Sequence, residues 1–403
     1  MTIRTIGPPG ERFAEDHLRL LRAVRLAAQL GFEIEPETFR ALQANAAKIT
    51  VISAERIRDE LVKLFAPLAA LPTNRHRQDT SGFAGSATEP ERRLAVGLPP
   101  EKQQTQSSPD AETTSSSPSP PPSGGQGWGE VALRAQGEAL SPVQEKIEKS
   151  AHGMTRPTSS AARGLELLHE SRLLEHVLPE LAATVHCQQS PDFHPEGSVF
   201  NHLVLMLQKM PPDADPLLPW AILLHDIAKP LTASRDEQTG SIHFYEHERI
   251  GAEMAERILE RLRFPRKQID SIVQAVRCHM QFKDAPQMRK ATLRRLLMRP
   301  TFPLELQLHR VDCLGSHGRL DVYHFLIEQA KELEKQPEIH PPLLKGDDLI
   351  ELGMKPGPAL GALLNEIREK QLQDELKTHS EAQAWAKQQI KSQAGNPAGK
   401  RIE

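Results

Sequence analysis

A chain of 403 residues is long enough for two or more domains and a sizeable buried core. Its composition, 38% hydrophobic and 26% charged, fits a soluble protein, and a net charge of −3 lacks the overall basic excess of a free-standing nucleic-acid binder, so any RNA contact has to be local. Three cysteines, Cys187, Cys278 and Cys313, form no Cys-x-x-Cys pair, which argues against a disulfide framework and a cysteine zinc knuckle and makes a reduced, cytoplasmic compartment the default.

The opening residues, Met1-Thr2-Ile3-Arg4-Thr5, show no apolar stretch of a signal peptide. The longest apolar run, Leu217 to Leu224, contains Pro219 and is too short to span a bilayer, so no membrane association is expected. In residues 11–71 the spacing of Leu18, Leu21, Val24 and Ala28 predicts a helix that Gly31 can close. Pro36 suits the first turn of a second helix, and Ser53 the N-cap of a third carrying Ile57, Leu61 and Leu64. Residues 73–160 read differently. The stretch Thr105 to Gly127 is rich in Ser, Pro and Gly and cannot bury enough apolar surface to offset the entropy of ordering it, so disorder is expected there. Trp128 inside it is either a docking residue or a stray aromatic in a linker. Helical spacing resumes over 161–390, for example Ile250-Met254-Ile258-Leu262, with few β-branched runs of period two. Lys391 to Glu403 reads as a frayed tail. With aromatics at only 4%, the helices must pack mainly through Leu, Ile, Val and Ala, and the fold class is all-α.

Two constellations carry chemistry. The first is seven residues between 198 and 318: His202, His225-Asp226, His243, His247, His279 and Asp312. Neutral imidazole and carboxylate are the usual protein ligands of divalent first-row metals, and a bound metal lowers the pKa of its water toward attack on phosphorus. Lys229, one turn after His225-Asp226, could steady an anionic phosphate. Any one of these histidines alone reads first as a core or surface residue; the ordered set His202, His225-Asp226 and Asp312 among apolar helices reads as a metal site. His202, His225, Asp226 and Asp312 resemble, in order and flanking sequence, the H…HD…D pattern of the HD superfamily of metal-dependent phosphohydrolases. That resemblance implies an all-α domain using these four as ligands of a divalent ion (Mg, Mn or another transition metal), with His247 and His279 where some members place ligands for a second metal. His243 has no secure counterpart, and His309 and His317 fall to supporting or surface positions.

The second is the run Glu15 to Arg25. Asp16 and Arg19, three apart, would share one helix face. A carboxylate accepts and a guanidinium donates, so the pair could meet the edge of cytosine or adenine, with Arg22 and Arg25 toward phosphates; on spacing alone a surface ion pair is the favoured reading. The whole segment Arg12 to Glu35 resembles the neck of bacterial tRNA nucleotidyltransferases and poly(A) polymerases, the class II CCA-adding type, and Ser53 to Leu61 resembles the next neck motif. The resemblance implies that Asp16 and Arg19 of Glu15-Asp16-His17-Leu18-Arg19, with Arg22 beside them, read incoming CTP or ATP, and that a tRNA or other RNA 3′ end is the partner. Leu26 stands where a core phenylalanine is common. Ala162 to Leu181 resembles the family's body region, and Leu343 to Pro358 its C-terminal tail. The glycines of that tail serve either helix–helix turns or an RNA phosphate.

The expected layout is a helical neck at 1–72, a disordered insertion at 73–160, body helices at 161–196, an HD-type domain at 197–335, a helical tail region at 336–390 and a disordered end at 391–403. Only Met1 to Gly10 precede the neck, with no Gly-Gly-x-Val-Arg-Asp and no Asp-x-Asp ahead of Glu15. The family's α/β catalytic head is therefore expected to be missing, through truncation, a separate head chain or a relic neck, and the chain is expected not to transfer nucleotides alone. A stand-alone HD phosphohydrolase acting on a nucleotide or phosphoester is the alternative.

Overall fold

The computed structural model describes residues 1–67, 159–190, 194–336, 339 and 341–394. The expected insertion, with Trp128, lies outside the described residues except for its last two, Ser159 and Ser160, which begin a helix. Residues 395–403 of the expected tail lie outside them as well.

The first region is helical, as the spacing predicts. Helix α1 spans Pro9–Glu15, α2 Leu18–Leu30, α3 Pro36–Asn45 and α4 Ala54–Phe65. Proline opens α3, and Ser53 precedes α4 in an extended conformation, although its hydroxyl makes no cap bond. Gly31 closes α2 in the left-handed region, at φ 65°, a conformation glycine adopts without the Cβ penalty. The buried stripe of α2, including Leu18, Leu21, Val24 and Ala28, faces α4 and the helix α5 (Ser160–Glu170). Two short strands, β1 (Thr2–Ile3) and β2 (Glu33–Ile34), pair in parallel and tie the first residues to the α2–α3 connection.

One expectation fails here. Glu15 to Arg25 is not a single helix. Asp16 is extended (φ −155°, ψ 105°), and its carboxylate accepts the Leu18 amide at 3.1 Å. A short acidic side chain competes in this way with the helical ladder, and the chain breaks between α1 and α2. Leu26 is also not a core residue; it is 38% exposed on the outer face of α2.

After α5 come two single turns, α6 (Leu174–Val177) and α7 (Pro179–Ala182), then α8 (Val199–Lys209), whose first turn is capped by the Ser198 hydroxyl accepting Asn201 N at 3.2 Å. All eight residues of α9 (Leu218–His225) are buried. A helix apolar all round must be enclosed on every side. The turn α10 (Lys229–Thr232) leads into an antiparallel hairpin, β3 (Ala233–Arg235) with β4 (Ile242–Phe244). Then follow α11 (His247–Arg261), α12 (Arg266–Cys278), α13 (Lys290–Leu297), α14 (Phe302–Gly315) and α15 (Asp321–Glu334). The last helices are α16 (Gly346–Glu351), α17 (Pro358–Leu372) and α18 (His379–Ala394), the last running past Lys391, where fraying was expected. Gly353, at φ 94°, ends α16 with its amide donating to Ile350 O, so the tail glycine there serves a turn between helices.

The expected boundaries between neck, body and HD-type domain are not boundaries of packing. One continuous apolar core includes Leu21 and Val24 of α2, Leu61 and Phe65 of α4, Leu165 of α5, Leu203 of α8, Trp220 of α9 and Ile258 of α11. Phe65 meets Trp220 edge-on, ring centroids 6.0 Å apart. Gly164 lets α5 close on α4: a Cβ there would fall 2.5 Å from Leu64 Cδ1. The C-terminal helices have a separate core around Leu349, Leu363 and Ile367. They are joined to α13 by the buried Arg294, whose guanidinium donates to Leu372 O at 2.9 Å and to Gln336 Oε1 at 2.7 Å.

Because Trp220 lies in the shared core, Trp220→Ala is expected to cost about 3–5 kcal/mol. Urea unfolding followed by circular dichroism should show the loss in one cooperative transition with the neck helices included. A separate neck transition, unmoved by the substitution, would contradict the shared core.

Candidate functional site

The buried C-terminal end of α9 places the first pair. His225 is its last residue and Asp226 its cap, and both are 2% exposed. His225 Nδ1 donates to Ile222 O at 2.9 Å, which turns Nε2 toward Asp226 Oδ2, 3.1 Å away. The other histidines arrive from three further elements. His202 lies one turn into α8. His247 is the first residue of α11, set there by Glu246 in a left-handed conformation (φ 56°), and its Nδ1 donates to Phe244 O of the hairpin at 2.7 Å. His279 directly follows α12, with Nδ1 donating to Val276 O at 2.7 Å. Asp312 projects from α14, where Gly315 lets that helix close on α8: a Cβ at Gly315 would stand 3.0 Å from Met206 Cγ.

These six side chains converge in two adjoining groups. His202, His225 and Asp312 form one, and Asp226, His247 and His279 the other, each with donor atoms within 4.8 Å of one another. His202 Nε2 is 3.1 Å from Asp312 Oδ1. His247 and His279 direct Nε2 at Asp226 Oδ1, at 3.4 and 3.8 Å. The two Nε2 atoms are themselves 3.2 Å apart. With both Nδ1 atoms carrying the donated proton, two lone pairs face each other beside a carboxylate. A cation between them is the natural complement, so the donor set fits a divalent metal.

Burial alone would discourage charge on Asp226, but His225 and Lys229 beside it hold its carboxyl well below the usual range. Burial likewise opposes charge on His202, and Asp312 and Glu196 overcome it, raising its pKa to about 9. Asp312 is lowered in turn by the same His202, against its own burial. His279 goes the other way: burial, with His225 and His247 close beside it, lowers it to about 3, leaving a neutral ligand.

Lys229 is not turned outward to receive a phosphate. Its ammonium lies 2.7 Å from Asp226 Oδ2 and donates to Gln189 Oε1 at 2.6 Å, and the residue is buried. Its placement is that of an internal counter-charge. His243 stands on β4, stacked against Tyr245. His309 is buried against Phe282, and His317 is exposed. Sequence reasoning missed Glu196, which accepts from His202 Nδ1 at 2.7 Å, and Gln189. The run His194-Pro195-Glu196-Gly197, just ahead of the Ser198 cap, was the available signal for the first.

In the neck, Asp16 and Arg19 do not pair with each other. Asp16 Oδ2 meets Arg56 of α4 at 3.1 Å, while Arg19 is bound by Glu15 at 2.5 Å and donates to Arg12 O at 3.0 Å. Glu60, with its side chain 5% exposed, takes Arg25 at 2.8 Å and Arg22 at 3.3 Å. Arg25 is thereby committed to joining α2 to α4 and is not free for a phosphate; Arg22 keeps an exposed guanidinium.

Comparison with known proteins matches residues 31–70 to the family described as "Probable RNA and SrmB- binding site of polymerase A" and residues 198–314 to the HD domain. The chain is 33% identical over 265 residues to an A-adding tRNA nucleotidyltransferase of Deinococcus radiodurans, covering 63% of this chain and 60% of that protein. It is 34% identical over 262 residues to a CC-adding tRNA nucleotidyltransferase of Thermus thermophilus, covering 63% and 58%. The chain thus spans less than two thirds of the length of these relatives. A Bacillus stearothermophilus CCA-adding enzyme solved with CTP shares the fold, with TM-score 0.53 at 18% identity over 98% of this chain and 67% of that one.

The raised pKa of His202 fixes a pH window for the protein stripped of metal by a chelator. A group raised in the folded state stabilises fully below its ordinary value of 6.5 and stops doing so as pH rises through about 9. The urea midpoint of the stripped protein is therefore expected to fall between these two pH values, and to fall less in His202→Gln. Equal slopes in the two proteins would show that His202 carries no such charge.

Proposed function

The chain belongs to the tRNA nucleotidyltransferase/poly(A) polymerase family and carries an HD domain, and from that premise we propose that it works on RNA 3′ ends in the cytoplasm, with its neck selecting the nucleotide. The observation that supports this reading is the α1–α2 junction. Asp16 is held by Arg56 and by the Leu18 amide, and Arg19 by Glu15 and the Arg12 carbonyl. A carboxylate and a guanidinium fixed in this way lose little freedom when a base edge replaces part of their surroundings. In this proposal Asp16 accepts the exocyclic amino group of cytosine or adenine, Arg19 donates to ring acceptors, and Arg22 lies toward the phosphates.

The proposed share of these 403 residues is recognition. Transfer needs carboxylates that hold metal at the triphosphate, commonly an Asp-x-Asp on a strand. None of the four strands among the described residues contains an aspartate. Addition of CMP or AMP to tRNA by this chain alone is expected to be undetectable, while binding of tRNA and of CTP or ATP remains. Asp16→Ala and Arg19→Ala are each expected to weaken CTP and ATP binding about 10- to 100-fold, the range of hydrogen bonds to charged groups. Filter binding with tRNA and a polyanion control checks the partner; no preference for tRNA would overturn the reading.

A second activity is favoured by the facing Nε2 atoms of His247 and His279. In this reading His202, His225, Asp226 and Asp312 hold a divalent ion, with His247 and His279 completing the site or holding a second. Such an ion supplies Lewis-acid activation of water toward a phosphoester. The chain's own contribution is placement: the Nδ1 donations to Ile222, Phe244 and Val276 fix each tautomer, and Lys229 balances Asp226. The substrate class is a phosphoester, such as a 2′,3′-cyclic phosphate or a nucleotide. Metal-dependent hydrolysis is expected to fall at least about 100-fold in His225→Ala and Asp226→Ala. Hydrolysis that survives both substitutions and a chelator would contradict the assignment.

A further inference from the structure

We infer that Glu196 is a positioning residue of the metal centre, acting through the His202 ring it holds rather than on substrate. The inference rests on the metal-centre reading above. His225, His247 and His279 each give their Nδ1 proton to a backbone carbonyl. His202 is built differently: its Nδ1 lies 2.7 Å from Glu196 Oε1, and its Nε2 faces Asp312 at 3.1 Å. The carboxylate–imidazole bond fixes which nitrogen carries the proton, leaves the Nε2 lone pair for a metal, and makes that nitrogen a stronger donor than a neutral carbonyl partner would.

The packing around Glu196 gives it no comparable structural task. Its side chain is 5% exposed. Oε1 also receives His194 Nδ1 at 2.9 Å, while Oε2 is buried without a hydrogen-bond partner. Among the described residues no Lys or Arg pairs with it in an ion pair; the two imidazoles and its own backbone amide offset its burial. Keeping a carboxylate there costs more than an amide or apolar residue would, unless its charge acts on the ring beside it. The distance in sequence is short, six residues, and the Ser198 cap between them fixes the first turn of α8 on which His202 rides.

The test is metal affinity of the full chain, measured with Mn2+ and Zn2+ against a chromophoric chelator, in wild type, Glu196→Gln and Glu166→Gln. Glutamine at 196 keeps an acceptor for His202 and removes the charge. Glu166 faces the same groove as Glu196 and is not paired with His202 in the structure, so its substitution controls for charge alone. Affinity is expected to fall about 10- to 100-fold in Glu196→Gln and to stay within about twofold in Glu166→Gln. The Co2+ absorption bands should also shift in Glu196→Gln, which a purely structural role would not produce. Equal affinity in wild type and Glu196→Gln, or an equal loss in both variants, overturns the role alone. Loss of one whole metal equivalent in Glu196→Gln would make it a direct ligand and also overturn it. A wild type that binds neither metal overturns the centre itself. If Glu196→Gln fails to fold, nitrogen-15 spectra of the wild-type histidines in the Zn2+-loaded protein decide: a protonated Nδ1 at His202 supports the role, and a metal-bound or unprotonated Nδ1 overturns it.

Discussion

A carboxylate removed from water must be met by opposite charge or by donors, and Asp226 imposes that requirement on the centre of this protein. It sits at the end of α9, a helix buried on all sides, where solvent cannot help it. His225, His247, His279 and Lys229 come to it from the end of α9, the first residue of α11, the end of α12 and the start of α10. Four element ends meeting at one side chain leave little freedom in how those elements pack. Three of the four histidines in the centre are held by the backbone carbonyl three residues before them, so their ring directions are set by contacts close in sequence.

The neck obeys a similar rule with weaker burial. Glu60 gathers Arg22 and Arg25 across α2 and α4, and Arg56 reaches from α4 to Asp16. Burial works against the charge on Glu60, and the Arg25 hydrogen bond overcomes it, so its pKa is lowered. Phe65 of α4 and Trp220 of α9 lie in one core, so the helix that carries Arg56 and Glu60 meets the helix that carries His225.

Much of this was legible in the sequence because helical spacing and helix-end residues are local signals. Leu18, Leu21, Val24 and Gly31 marked α2, Pro36 marked α3, and the order of His202, His225-Asp226 and Asp312 named the residues that come together. What escaped depended on competition or on distance. The break at Asp16 arises because its carboxylate takes the Leu18 amide, which apolar spacing does not register. The exposure of Leu26 follows from the direction of α2 against its neighbours, not from residue type. The hairpin carries Ser234, Arg235 and His243 in place of β-branched alternation and is held by its turn, where Asp236 Oδ1 accepts two amides at 2.8 Å. Lys229 seemed available for phosphate from its position alone; only the fold shows it between Asp226 and Gln189, forty residues back.

In the proposed metal centre the Asp226 cluster closes around a cation. The most direct test is thermal unfolding of the full chain, first stripped with chelator and then titrated with Mn2+ or Zn2+, in wild type and Asp226→Asn. A metal that binds only the folded state stabilises it by about 2.7 kcal/mol at 100 times its Kd. A saturable rise in Tm is expected for the wild type and is expected to be absent in Asp226→Asn. A wild-type Tm unmoved by either metal, or an equal rise in both proteins, would contradict it.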